Sequence, residues 1–202
     1  PTLSRIQSTT GSANNVSSIT MTALTSTPVD GNTLIAVIST RGTSANRVSS
    51  ITQSGATWSR VSQATNTNGS TIEIWYAPNV SSASKTISIS LASFLRAAAI
   101  VMEYRGLLTS NAIDQIANTT GNSTTASTGT TATSSQDNEL LIAGISLVNS
   151  GYSLSTITNS FTTIANVAST SGSAGNNSEV YALERIVSSA NTFTTGATVS
   201  TS

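Results

Sequence analysis

The sequence predicts an all-β protein, built as an antiparallel β-sandwich of about a dozen strands. Apolar and polar residues alternate in Ile19–Ala23 and in Ile87–Leu91, as in strands with one buried and one solvated face. Three continuous apolar runs, Leu34–Ile38, Ala97–Met102 and Leu140–Ile145, are typical of central strands covered on both faces. Turn-forming residues separate these segments along the whole chain.

The chain length of 202 residues fits one large all-β domain, residues 1–202. Within it, Pro28–Asn32 is a turn that leads into a strand beginning at Thr33. A later strand, Ile72–Tyr76, alternates so that Glu73 and Trp75 lie on the face opposite its aliphatic residues.

Two segments leave a choice of structure. Ala97–Met102 could form a short helix because alanine is the best helix former, but Tyr104 and the Arg-Gly pair after it fit the end of a strand, which we favour. Asn118–Ser135 consists almost entirely of small polar residues and is either a polar edge strand or a long loop. We favour the edge strand because threonine suits a pleated surface.

The composition excludes most catalytic chemistry. Ser and Thr make up 73 of the 202 residues, while His and Cys are absent. The chain therefore has no imidazole base or metal ligand, no thiolate nucleophile and no disulfide. These absences predict a protein that is not an enzyme, with no cofactor and no metal site.

The charge pattern excludes further classes of partner. Eight basic and eight acidic residues cancel, so no basic patch predicts nucleic-acid binding or attraction to anionic lipid. Low net charge also removes the self-repulsion that keeps proteins monomeric, which favours a homo-oligomer. No run is long enough to span a membrane. If Pro1 is the true N-terminus, cytoplasmic synthesis is favoured, because initiator methionine is readily removed before proline.

Carboxylates are the remaining candidates for acid–base chemistry. Glu73, Glu103 and Glu184 lie within strand-like segments, and two of them facing each other could form a glycosidase pair. We favour the alternative, in which they are outward charges or partners of Arg105 and Arg185.

The three aspartates, Asp30, Asp114 and Asp137, lie at turns, where aspartate commonly bonds its own backbone. Calcium is the alternative role, but no aspartate-rich spacing supports it.

The aromatic residues supply the candidate contact sites, Trp75 and Tyr152. An exposed aromatic ring can stack on a sugar, so a glycan is one candidate ligand. Aromatic residues scattered through a sandwich are more often core anchors and seam residues. The polar segments Ser171–Asn177 and Asn118–Ser135 are the expected contact loops.

Several segments together resemble a known domain family. The segments are Asp30–Val37, Ile51–Trp58, Ile72–Val80, Val101–Leu107 and Asp137–Ala143. In this order they resemble a poorly characterised β-sandwich domain of bacterial surface proteins and of phage structural (decoration and tail) proteins. The resemblance implies a jelly-roll-like sandwich without enzymatic activity, and it supplies no catalytic residues.

We therefore expect a structural protein on the exterior of a large assembly, above all a bacteriophage capsid decoration (cement) or tail-associated protein on the virion surface. Its partners would be copies of itself, for example in a trimer, and a capsid or tail neighbour. The first alternative is an extracellular filament or cell-surface subunit that pairs Leu3–Thr9 or Asn191–Thr201 into a neighbouring sheet. The second alternative is a carbohydrate-binding module.

Overall fold

The computed structural model describes residues 2–200, so Pro1 and Thr201, on which two of the expectations rest, lie outside the described residues. Twelve antiparallel strands form three sheets, and the only helical element in residues 2–200 is a 3-10 turn at Ala174–Asn176. The predicted all-β, sandwich-like class and the number of strands are confirmed. The jelly-roll topology stays a prediction. Residues 2–200 contain no helix long and apolar enough to cross a membrane.

Six strands form the largest sheet, which we call the main sheet. In chain order they are β1 (Ser4–Met21), β2 (Thr33–Arg41), β3 (Val48–Thr52), β4 (Ser59–Asn66), β5 (Ser70–Ala77) and β6 (Ser88–Arg105). The spatial order is β1-β6-β2-β5-β4, and β3 also pairs with β6.

The six remaining strands form two smaller sheets. They are β7 (Thr125–Ser127), β8 (Asn138–Leu147), β9 (Ser153–Ser155), β10 (Thr162–Ala168), β11 (Glu179–Ser188) and β12 (Gly196–Ser200). The second sheet has the order β10-β11-β8, and the third has the order β7-β12-β9.

The paired strands β1 and β6, eighteen residues each, fold back on themselves. Asn15 has a left-handed backbone (φ 63°) at the bend of β1, and Thr22 N–H donates to Thr10 O at 3.0 Å across the fold. At Gly11 a Cβ atom would lie 2.5 Å from Thr20 O, so the close approach requires glycine. The end of β1, the start of β6 and β3 thus form an additional layer over one face of the main sheet.

The sequence Val-Ser-Ser-Ile-Thr occurs twice, at Val16–Thr20 and Val48–Thr52, as the biased composition alone would explain. The two segments occupy equivalent places in this layer. Ile19 of β1 and Ile51 of β3 both pair with Ile89 of β6, one on each side. All three isoleucines are buried in the same core. The two segments share a sequence and an environment.

Three hydrophobic cores separate four layers. The first lies between the folded-back layer and the main sheet, and includes Ile19, Ile51, Ile89, Leu34, Ile38 and Val101. The second lies between the main and second sheets, and includes Val37, Ile100, Met102, Ile142, Val180 and Ala182. The third lies between the second and third sheets, and includes Ala143, Ile145, Leu183, Leu154 and Ala197.

This layering explains the continuous apolar runs. Leu34–Ile38 and Ala97–Met102 are buried throughout, because alternate side chains enter the first and second cores. Leu140–Ile145 likewise faces the second and third cores. The prediction of central strands covered on both faces is confirmed for Leu34–Ile38 and Ala97–Met102, as is the choice of strand over helix for Ala97–Met102. It is wrong for Leu140–Ile145 as a central strand, because β8 lies at the edge of the second sheet and most of its residues are half-buried.

The polar segment Asn118–Ser135 is different from the expected edge strand. Only Thr125–Ser127 is a strand, at the edge of the third sheet, and the rest is loop. The main-chain N–H groups of Thr128, Thr131 and Ser134 bond instead to carbonyls of 191–195, at intervals that form no continuous strand.

Candidate functional site

Glu103 is fully buried on β6 and holds the turn that precedes β2. Its carboxylate accepts hydrogen bonds from Val29 N–H (2.9 Å), Asn32 Nδ2 (2.5 Å) and Gln7 Nε2 (2.6 Å). A buried carboxylate is tolerated where N–H donors replace its water. Glu103 therefore ties the turn and β1 to the main sheet.

Glu73 performs the same task at the start of β3. Its carboxylate, 1% exposed, accepts from the backbone N–H groups of Arg47 (2.9 Å) and Val48 (3.0 Å). Trp75 Nε1 donates to it at 3.0 Å, and Arg60 Nη1 lies 3.4 Å away. The expectation that Glu73 and Glu103 point outward is wrong, because both satisfy backbone donors of buried turns.

Glu179, which the sequence did not single out, repeats the arrangement in the second sheet. It is 2% exposed and accepts from the backbone N–H groups of Gly151 (3.1 Å) and Tyr152 (3.0 Å) and from Asn166 Nδ2 (3.3 Å). The sequence signal that the three sites share is a glutamate followed directly by an apolar or aromatic strand residue: Ile74, Tyr104 and Val180.

Glu184 accepts a hydrogen bond from a tyrosine whose pKa is strongly raised. Tyr104 Oη donates to it at 2.6 Å, and Arg5 Nη2 forms an ion pair at 3.1 Å. Burial, and then the hydrogen bond with Glu184, raise the pKa of Tyr104 well above its usual range, while the same carboxylate raises the pKa of Arg5. Glu184 therefore pairs with Arg5 and not with the predicted partners, Arg105 and Arg185.

The three aspartates also accept hydrogen bonds from backbone N–H groups, but from residues distant in the sequence. Asp30 accepts from Ser82 N–H (2.6 Å), Asp114 from Ser135 N–H (2.7 Å) and Asp137 from Ala190 N–H (3.0 Å). The bond from Ser135 lowers the pKa of Asp114. The expected bonds to the local turn are thus replaced by bonds between loops, and residues 2–200 contain no acidic cluster arranged to hold a metal ion.

The two candidate contact residues lie in different layers. Trp75 is half-buried against the first core, and the Arg60 guanidinium carbon lies 5.9 Å from the centroid of its ring. Tyr152 lies in the turn between β8 and β9, where its carbonyl accepts from Tyr181 Oη at 2.6 Å. Burial raises the pKa of Tyr181. The structure therefore does not bring Trp75 and Tyr152 into one site.

The bend of β1 and β6 presents an apolar surface beside two arginines, which we call the bend surface: Asn15, Val16, Phe94, Arg41 and Arg96. Phe94 is 69% exposed, and Val16, which pairs with the next residue, Leu95, is 41% exposed. Arg96 and Arg41 donate only to main-chain carbonyls in residues 2–200, and neither has a carboxylate partner there.

The expected contact loop Ser171–Asn177 borders this surface. Arg96 Nε donates to Ser171 O and Arg41 Nε to Asn176 O, both at 3.2 Å. Burial, followed by the charge of Arg96, lowers the pKa of Arg41. Sequence reasoning missed Phe94, although its place on the solvated side of the alternating strand was the available signal.

A second candidate is a cleft of about 240 Å³ beside β8. The apolar walls come from β4, β5 and β8, and the segment Ala112–Asn118 covers it. Glu139 lines the cleft, and its Oε1 is buried without a hydrogen-bond partner in residues 2–200. Burial raises the pKa of this carboxyl group.

The protein is an all-β protein of stacked antiparallel sheets. Seven of its eight acidic side chains accept hydrogen bonds that fix loops, turns or strands in place. Comparisons with protein families, curated proteins and solved structures find no match to this chain. The family resemblance seen in the sequence motifs therefore stays a prediction.

Proposed function

We propose that this chain is a non-enzymatic structural subunit on the exterior of a large assembly, of the kind that decorates a bacteriophage capsid or belongs to a phage tail. The bend surface carries the proposal. An aromatic residue as exposed as Phe94, with the exposed Val16 on the paired strand and arginines without carboxylate partners around it, has the composition of an interface centre. The proposed partner surface supplies apolar side chains and carboxylates.

The use of the acidic residues supports the non-enzymatic part of the proposal. Acid–base catalysis needs a titratable group within reach of a substrate. The buried glutamates instead accept two or three N–H groups from turns, and the chain contains no histidine or cysteine. These contacts support a rigid scaffold.

The charge pattern and the sequence motifs support a location on the exterior of a large assembly. A nearly uncharged, Ser/Thr-rich surface lacks the self-repulsion that opposes dense packing. The motifs that resemble phage and bacterial surface domains point to the outside of a particle, and a jelly-roll-like sandwich is proposed with them. Closed rotational symmetry, for example a trimer, is the proposed arrangement.

Sedimentation velocity on three proteins tests the bend surface. The wild type, Phe94→Ser and the control Val29→Ser, which removes an apolar side chain that is 58% exposed elsewhere, are compared at equal concentrations. We expect Phe94→Ser to lower the assembled fraction about tenfold or more, since an interface anchor contributes over about 1.4 kcal/mol. Equal assembly of Phe94→Ser and wild type would contradict the role of this surface.

One observation supports the filament or cell-surface alternative: the long edge of β8 has no paired strand in residues 2–200. Growth of the mass without limit as concentration rises would favour that alternative. Glycan binding has no comparable support, because Arg60 lies over the ring of Trp75. A change in tryptophan fluorescence on titration with soluble glycans would favour the carbohydrate-binding alternative.

A further inference from the structure

The second sheet is narrower than the main sheet that it covers. β10 lies against β1 and β6, β11 against β6 and β2, and β8 against β2 and β5. The edge strand β4 has no strand of the second sheet over it. Ile72, Ile74 and Tyr76, which face the second core, are therefore only half-buried. A place for one more strand exists beside β8.

β8 has the features of a central strand, although it lies at an edge. It is ten residues long, pairs with β11 without a bulge, and contains one charged residue and no proline. Within residues 2–200 its main chain bonds only to β11. Natural edge strands are usually short, bulged or charged, because an accessible apolar edge pairs readily with another strand.

The segment that covers this place is weakly attached. No main-chain group from Leu107 to Thr119 bonds to another main-chain group within residues 2–200. Ile113 and Ile116 are 42% and 48% exposed, and beneath them lies the cleft of about 240 Å³. The cleft provides room for inward side chains. Two side-chain bonds tie the segment to the neighbouring loop: Asp114 accepts from Ser135 N–H at 2.7 Å, and Thr119 Oγ1 donates to Ser127 O at 2.6 Å. Movement of the segment toward solvent therefore breaks few hydrogen bonds.

We propose that β8 accepts one extended strand from another polypeptide, which widens the second sheet to four strands. This inference rests on the proposed role in an assembly and names one means by which a neighbour attaches. The donated strand alternates apolar residues, packed on Ile72 and Ile74, with small polar residues facing Ser127 and Thr128. A hydrogen-bond donor on it satisfies the buried Oε1 of Glu139.

The geometry selects a single strand rather than the β8 edge of a second copy. β4 and part of β5 project beyond β8, so they occupy the layer that the second copy's own main sheet would need. A donated segment without attached layers meets no such obstacle. The ladder hydrogen bonds supply affinity, and the apolar contacts with β4 and β5 fix the register.

A labelled peptide of about ten residues that alternates valine and threonine is the probe. Its binding is followed by fluorescence anisotropy, and amide hydrogen exchange locates the binding site. We expect the exchange of Asn138–Leu147 to slow by about tenfold or more on binding. The control peptide carries N-methyl groups on alternate amides, which block one edge of the ladder, and we expect it to bind about tenfold or more weakly.

Two variants test the place on the protein. Ala117 lines the cleft, and Ala117→Trp fills it from the covering segment without altering a strand. Ala132→Trp is the control, since Ala132 is exposed in the loop that follows β7 and does not line the cleft. We expect Ala117→Trp to weaken peptide binding at least about tenfold and Ala132→Trp to leave it unchanged.

The inference is overturned if the peptide fails to bind at about 1 mM, if the methylated peptide binds equally, or if the protection falls outside β8. Its failure is distinguishable from failure of the proposed function. If no peptide binds but assembly still depends on Phe94, the strand-accepting edge is wrong and the structural role stands. If the peptide protects β8 while the chain remains monomeric, the edge is right and self-assembly is wrong.

Discussion

Substitution of Glu103 tests whether the buried glutamates serve the fold. Glu103→Ala leaves three N–H donors without their acceptor, of which the Asn32 amide is buried and cannot reach water freely. A buried unsatisfied donor costs about 1–3 kcal/mol, and a hydrogen bond to a charged group contributes about 1.5–3 kcal/mol. Because Glu103→Ala removes such bonds from three donors, of which one is buried, we expect it to lower the free energy of unfolding by about 3–5 kcal/mol.

Glu103→Gln separates hydrogen bonding from packing. The glutamine keeps an acceptor for Val29 N–H and Asn32 Nδ2, but its NH₂ group faces Gln7 Nε2, which is also a donor. We expect about half the loss found for Glu103→Ala, because one charge-assisted hydrogen bond disappears and two become neutral.

Urea denaturation at neutral pH measures both variants. Lys85→Ala is the control, because Lys85 is exposed and its loss should change the free energy of unfolding by less than about 0.5 kcal/mol. If both Glu103 variants unfold within about 0.5 kcal/mol of the wild type, the carboxylate is not structural. Glu103 would then have to be reconsidered as a functional acid.

Three further predictions concern close packing and titration. Gly11→Ala should lower stability by about 1–3 kcal/mol by thermal unfolding, because its Cβ would meet backbone at 2.5 Å, whereas Gly121→Ala, with open space around it, should not. The raised pKa of Tyr104 contributes stability that is present below about pH 10 and lost as pH rises further. The free energy of unfolding should therefore fall less steeply with pH above about pH 10 in Tyr104→Phe than in the wild type, and an equal slope would contradict this. The raised pKa of Glu139 means that its carboxylate opposes folding above about pH 4. Glu139→Gln should therefore have a higher Tm than the wild type at pH 7 and an equal Tm in acid, and a lower Tm at pH 7 would contradict the prediction.

The strands of the main sheet could be predicted because burial leaves a local pattern. Leu34–Ile38 and Ala97–Met102 are apolar at every position, as strands covered on both faces require. The alternation in Ile72–Tyr76 likewise gave the correct faces for Trp75 and its neighbours. Each of these predictions depends on residues close together in the sequence.

The bend surface and the edge of β8 could not be predicted, because they depend on distant partners. The bend of β1 requires only Asn15 in a left-handed conformation and Gly11 without a side chain, and neither marks a bend by itself. Leu140–Ile145 has the pattern of a central strand, whereas the structure shows an edge. The predicted partners of the glutamates were local charges, while the true donors are turns brought near by the fold.

The mass of the unmodified chain in solution, measured by light scattering over a concentration series, tests the structural role most directly. The account predicts a mass that settles at a small whole multiple of the 20.5 kDa chain, as in a closed ring such as a trimer. The mass of a single chain at every concentration would contradict self-assembly through the bend surface.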